Sequence, residues 1–221
     1  MKSLCKLAWV LALMLLVAGC NTRPSRSYML GDVLEEVDFS RLSDWERYVH
    51  PDQRVDFQID DGTYRVRADH GGFMWTLNTR AHDDVVIQAD SVQLSDDPDN
   101  AYGLMCRASG SANGDGYYFF ISGDGMYTIR RGAGRQVSAL IPWTRSAAIQ
   151  QGRAINRIRI VCVEDYLALY VNGAFVAETF DSLYQRGYAG ITAAAAPEGD
   201  LDVTFDDLLI WRGDLVAVES S

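Results

Sequence analysis

The chain predicts an all-β domain whose antiparallel strands close over each other as two stacked sheets or a barrel. Three observations carry this. From residue 35 onward the apolar residues recur with period two rather than the 3.6 of a helix. Short runs rich in Val, Ile, Tyr, Phe and Thr are separated by turn residues. Several of those turns are Asp-Gly or Asn-Gly pairs, which tolerate the positive φ that tight hairpins require.

The strands follow in order. Runs at 54–59 and 63–68 flank Asp61-Gly62, and runs at 72–77 and 84–93 come next. The run at 101–107 is separated by a Gly-rich segment, GSANGDG, from 117–122, which turns through Asp124-Gly125 into 126–131. Runs at 137–142 and 154–163 precede the pair 166–171 and 174–180, which flank Asn172-Gly173, and 187–194 and 202–211 end the series. About a dozen strands in one domain of this size must bury their apolar faces against one another.

The N-terminus is of a different kind. Lys2 and Lys6 precede an apolar stretch from Leu7 to Val17, which is short for a ~30 Å hydrocarbon core. It reads as a secretory signal. Leu16-Val17-Ala18-Gly19-Cys20 resembles the bacterial lipobox, in which the cysteine thiol receives a diacylglyceryl group and becomes the first residue of the mature protein. Residues 1–19 are then the signal peptide, 20–34 the lipidated N-terminus and its polar tether, 35–213 the domain and 214–221 a tail. The expected location is a membrane surface reached through lipid on Cys20. Asn21 is not the Asp that retains such lipoproteins at an inner membrane, so in a cell with two membranes the outer one is expected.

The full chain has a formal net charge of -10, and loss of Lys2 and Lys6 makes the exported part more acidic still. That composition argues against nucleic acid as a partner. Strand parity sends two cysteines inward: Cys106 shares a face with Leu104 and Tyr102, and Cys162 with Ile158 and Ile160. With Cys20 lipidated they are the two remaining thiols of a protein folding in an oxidising space, which pairs them as a disulfide. The alternative is two buried free thiols acting as small apolar side chains.

The segments DFSRLSDWE, DDGTYRVRA, DNAYGLMCRA, GYYFFISGDGMYTIRR, NRIRIVCVEDYLALYVNGAFVAE, YAGITA and VTFDDLLIW occur in an order similar to that of the concanavalin A-like lectin/glucanase domains of exported bacterial proteins. More distantly, they resemble the 3-keto-disaccharide hydrolase domain. The resemblance implies a two-sheet antiparallel jelly-roll sandwich from about Asp38 to Trp211. It implies little about activity, because that scaffold carries lectins, glycosidases, lyases and inert modules.

Retaining glycosidases of this kind are similar to one another in an E-x-D-x-x-E strand holding two carboxylates ~5–5.5 Å apart, and this chain lacks it. The acidic clusters Glu35-Glu36-Val37-Asp38, Glu164-Asp165 and Asp206-Asp207 read as solvated or structural charge. Asp96, Asp97, Asp99 and Asn100 in SDDPDN supply the oxygen ligands that calcium prefers, although not in EF-hand spacing, and the same residues make a plain turn. His50, His70 and His82 have no zinc-ligand spacing. No other cofactor is implied.

Aromatic residues give the remaining signal. In YYFFIS, Tyr117, Phe119 and Ile121 share one face while Tyr118 and Phe120 share the other, as a central strand of a curved sheet would place them. Tyr118 and Phe120, with Trp75, Tyr127 and Trp143, are the candidate ligand-binding residues, their rings stacking on sugar C–H faces. Trp45 and Trp211 are assigned to packing. The expectation is a lipid-anchored, non-catalytic module for a polysaccharide or an envelope protein; the alternative is a glycan-cleaving enzyme with an unrecognised acid pair.

Overall fold

The computed structural model describes residues 23–40, 45–51, 54–69, 71–111, 113–197 and 200–216. The signal segment, Cys20 and the tail from 217 lie outside the described residues. Within them the chain is all-β, and no helix is long and apolar enough to cross a membrane.

Fifteen strands form two antiparallel sheets: β1 (Tyr28–Val37), β2 (Tyr48–His50), β3 (Val55–Asp60), β4 (Thr63–Ala68), β5 (Gly72–His82), β6 (Val85–Gln93), β7 (Ala101–Ala108), β8 (Gly116–Ser122), β9 (Met126–Ala133), β10 (Gln136–Arg145), β11 (Ile155–Val163), β12 (Tyr166–Val171), β13 (Ala174–Phe180), β14 (Gly187–Ala195) and β15 (Leu201–Leu215). The larger sheet runs β13-β12-β11-β6-β15-β4-β3-β2, with β1 also on β15, and the smaller runs β10-β9-β8-β7-β14-β5. This is the two-sheet jelly-roll sandwich that the sequence implied. All thirteen expected runs are strands, several of them longer than expected.

Hairpin chemistry explains the local connections. Asp61 and Gly62 take φ of 48° and 76°, and Asn172 and Gly173 take 54° and 80°. Both pairs bridge strands that meet at Asp60↔Thr63 and Val171↔Ala174. A two-residue loop with positive φ at both positions matches the right-handed twist of the strands it joins.

Two strands were not foreseen. Residues 28–34, read as the end of a tether, belong to β1, which pairs with β15 from Tyr28↔Leu215 to Val37↔Leu208. Strand pairing therefore begins before residue 35 and ends after 213. The segment MLGDVLEEV has no clean alternation because β1 is an edge strand exposed along much of its length, so no buried face imposes a pattern. Strand β2 is only three residues long, too short for a period to show.

Between the sheets lies the main core, in which Phe57, Tyr64, Leu104, Phe119, Ile160, Phe205 and Ile210 are buried. Cys106 on β7 and Cys162 on β11 form a disulfide with Cα atoms 6.7 Å apart. Since β7 and β11 belong to different sheets, the bond ties one layer to the other. Trp45 is buried in the main core, and Trp211 packs with Val86, Val161 and Tyr166 on the outer face of the larger sheet.

Candidate functional site

The outer face of the smaller sheet is built from large rings around a floor of small residues. Cross-strand register places Trp75, Thr192, Gly103 and Phe120 in one row over β5, β14, β7 and β8, and Phe73, Ala194, Ala101 and Ser122 in the next. A Cβ at Gly103 would meet the Phe119 carbonyl oxygen at 1.9 Å, so no side chain fits there. With little to fill the middle of the face, rings from β5 and β8 converge over it. Phe73 lies 5.8 Å from Phe120 and 6.4 Å from Tyr118 between ring centroids. Trp75 meets Tyr118 edge-on at 6.4 Å.

Tyr118 and Phe120 do share the outer face, as parity required, but they do not line an open groove. Both are fully buried, stacked on each other at 5.8 Å and covered by the β5 rings. The Tyr118 hydroxyl donates to the Gly114 carbonyl at 2.7 Å, and burial raises its pKa. Tyr127 is corrected outright. It pairs with Ile121 and sits in the core between the sheets, one residue out of phase with the outer-facing Thr128. Trp143 is exposed, but on β10, the strand at the opposite edge of the sheet from Trp75. It joins no common site with the others.

Trp75 alone of the five lines a cleft of about 670 Å³. The cleft wraps the free edge of β5 and opens toward β2 and β3, with Glu46, Tyr48, Phe73, Asn78 and Tyr188 also in its walls. Phe73 and Tyr48 are exposed at 44% and 41%, which leaves their rings open to solvent. Phe73 was legible from the sequence, since two residues before Trp75 on a strand is the same face. Tyr48 was not, in a strand of three residues.

Polar groups in the cleft are held firmly. The Leu77 N–H donates to Glu46 Oε2 at 3.1 Å, which caps part of the β5 edge. Asn78 Nδ2 donates to Glu35 Oε2 at 2.9 Å, and Asn78 Oδ1 accepts the Ala189 N–H at 3.0 Å. Glu46 is the one carboxylate among the described lining residues. Glycoside hydrolysis by the usual route needs two flanking the scissile bond.

The SDDPDN loop has other work. Asn100 is buried, accepts the Ala196 N–H at 2.9 Å and donates to the Asp200 carbonyl. Asp97 Oδ1 accepts the Asp99 N–H at 2.9 Å, and Asp96 reaches Arg153 at 3.3 Å. Among the described residues no group of three or more His, Cys, Asp or Glu side chains is arranged to hold a metal ion.

No protein-family model matches the chain, and no curated protein matches it in sequence. Solved structures do match in fold. The carbohydrate-binding module CBM66 from Bacillus subtilis superposes with a TM-score of 0.63 at 14% identity, over 76% of this chain and 96% of the module. A Bacillus subtilis protein of unknown function with a galectin-like fold gives 0.64 at 13% identity, over 85% and 99%. A laminarinase from Flavobacterium sp. UMI-01 gives 0.54 at 13% identity, over 81% and 100%. At these identities the likeness is one of fold.

Proposed function

We propose that this protein is a non-catalytic carbohydrate-binding module, held at a cell-envelope membrane by lipid on Cys20, with its binding site in the cleft along β5. The observation that carries the reading is the combination in that cleft of half-exposed Phe73 and Tyr48 with Trp75, Tyr188 and the fixed polar groups of Glu46 and Asn78. Flat apolar rings accept sugar C–H faces, and a few convergent polar groups set orientation. A jelly-roll fold shared with a carbohydrate-binding module and a laminarinase supports a glycan ligand. A single lining carboxylate supports binding over cleavage. The lipobox supports the anchor, since several acyl chains, at ~0.8 kcal/mol per buried CH₂, hold a protein stably at a bilayer.

The test is a polysaccharide panel applied to the detergent-solubilised full chain, run beside a reducing-sugar assay. Binding that is lost in Phe73→Ala without release of reducing ends is the expected result. Release of reducing ends that stops in Glu46→Gln would make the protein a hydrolase. Fractionation of Cys20→Ala with the membranes, as for the wild type, would remove the lipid anchor from the reading.

A further inference from the structure

Arginines of this acidic chain mostly face carboxylates. Arg157 pairs with Asp90 at 2.7 Å, Arg65 with Asp202 and Asp60, Arg186 with Asp83 at 2.8 Å, and Arg131, the next residue after Arg130, with Asp181. Arg130 differs. Among the described residues it has no ion pair; its Nε, like that of Arg131, is buried without a hydrogen-bond partner. It stands directly opposite Tyr118 in the β8–β9 register, hence on the outer face of the smaller sheet. Its guanidinium carbon lies 5.8 Å from the centroid of Phe73.

Phe73 thus lines the cleft and also stands beside a cation that is not itself among the lining residues. The buried Nε of this guanidinium has lost hydration without replacement. Its planar fork matches a carboxylate or a sulfate, and a ring beside it adds a stacking surface. Net charge works against a polyanion at long range, but at physiological salt the screening length is ~8 Å, so the groups around Phe73 govern contact. Glu46 lies in the cleft and would repel an acidic group there, which directs such a group toward the Arg130 end.

We infer that the cleft takes an anionic saccharide, with Arg130 receiving the carboxylate or sulfate of a sugar whose ring lies on Phe73. The inference rests on the glycan-binding reading and narrows it to acidic sugars. Hydroxyl groups of the adjoining sugar then meet Glu46 and Asn78, so the two ends of the site fix the direction of the bound chain.

The test is calorimetry on the detergent-solubilised full chain with two matched pairs of probes. These are trigalacturonate against its trimethyl ester, and neocarrabiose 4-sulfate against neocarrabiose. A charged member should bind at least about tenfold tighter than its neutral partner, the weight of one charge-assisted hydrogen bond. The pair that shows this preference tells carboxylate from sulfate. Arg130→Gln should bring the preference within about twofold, whereas Arg135→Gln, in the exposed β9–β10 turn, should keep it. A preference that survives Arg130→Gln overturns the inference. So does equal binding of charged and neutral probes; if Phe73→Ala abolishes that binding, the glycan reading stands without the anion. If no probe binds, the acidic-sugar assignment falls, and the neutral members of the polysaccharide panel decide the function separately.

Discussion

Arg107 Nη2 donates to Asp84 Oδ1 at 2.9 Å, and the same carboxylate oxygen accepts the Glu164 N–H at 2.7 Å. The guanidinium is fully buried. Its Nη1 donates to the carbonyls of Glu164 at 2.6 Å and Tyr184 at 2.9 Å, and Nη2 also reaches Cys162 O at 3.3 Å. Arg107 has φ of 52°, a bulge at the end of β7 next to the disulfide. Burial lowers its pKa and the Asp84 carboxylate opposes that shift. One side chain therefore joins β7 of the smaller sheet to the β11–β12 turn of the larger sheet and to the β5–β6 turn that connects the two sheets.

Removing that donor set leaves several acceptors without partners at once. Arg107→Ala should cost about 3 kcal/mol of unfolding free energy, read from the urea midpoint, toward the lower end for a buried pair because Asp84 is partly solvated. Arg107→Lys should fall between the two, since an ammonium cannot span the same fork of acceptors. An unchanged midpoint in Arg107→Ala would show that water replaces the guanidinium at no cost.

Burial separates the rings of the outer face into two classes. Tyr118→Ala and Phe120→Ala remove fully buried rings and should each destabilise by about 3–5 kcal/mol. Phe73→Ala, at 44% exposure, should cost roughly 1 kcal/mol or less by lost apolar burial while removing ligand binding. Equal stability losses for Phe73 and Tyr118 in thermal melts would place Phe73 in the core and take it out of the site.

The inter-sheet disulfide spans a sequence separation of 56 residues. In the chain-entropy model closing such a loop contributes about 4 kcal/mol. The oxidised domain should show no titratable thiol at Cys106 or Cys162 after unfolding without reductant, and reduction should lower the urea midpoint accordingly. Two thiols reacting under those conditions would mean that the bond does not form in the folded protein.

Period two and turn chemistry made the strands legible because most of them are buried on at least one face, which imposes alternation on the sequence. The inward direction of Cys106 and Cys162 was legible for the same reason; their pairing rested on an oxidising compartment and on lipid at Cys20 as well, not on parity alone. Edge elements were not legible, since β1 has no face that must be apolar, and β2 is shorter than one full alternation. For the site, parity gave the face of Tyr118 and Phe120 correctly but could not show that Phe73 and Trp75 fold over them. That cover depends on the bare backbone at Gly103 and on the pairing of β14 with β5 and β7, which are contacts between segments far apart in the chain. Tyr127 turns inward because it alternates with the outer-facing Thr128 along β9. Arg130 carries no sequence signal at all, since its character lies in what fails to pair with it.

A histidine behind the cleft makes stability depend on pH. Asn78 Oδ1 accepts the Ala189 N–H, which points Nδ2 to Glu35 at 2.9 Å and to His82 Nε2 at 3.1 Å. Because Nδ2 is a donor, Nε2 must be the unprotonated nitrogen of a neutral ring. Burial lowers the His82 pKa, outweighing the opposing charge of Glu35, and Arg186 and Arg80 push the same way as burial. In the unfolded chain the ring takes a proton near 6.5. Between the lowered folded pKa and that value the unfolded state binds more protons, so stability rises with pH across the window. The contribution is complete above 6.5 and is lost as pH falls toward the folded pKa. Thermal midpoints should therefore drop as the pH is lowered from neutral into the mildly acid range, well before Asp181 is protonated. Burial disfavours its ionised form, but Tyr117, the Leu183 N–H and Arg131 hold its pKa below the ordinary 3.8. His82→Gln, whose amide does not titrate, should flatten the mildly acid part of the profile and leave the lower part in place. Since Asn78 lines the cleft, protonation of the folded ring, which comes only below that window, should remove the His82 acceptor and weaken glycan binding at still lower pH in the wild type but not in His82→Gln. A variant with the wild-type slope would assign the effect to another group and free the cleft from any dependence on His82.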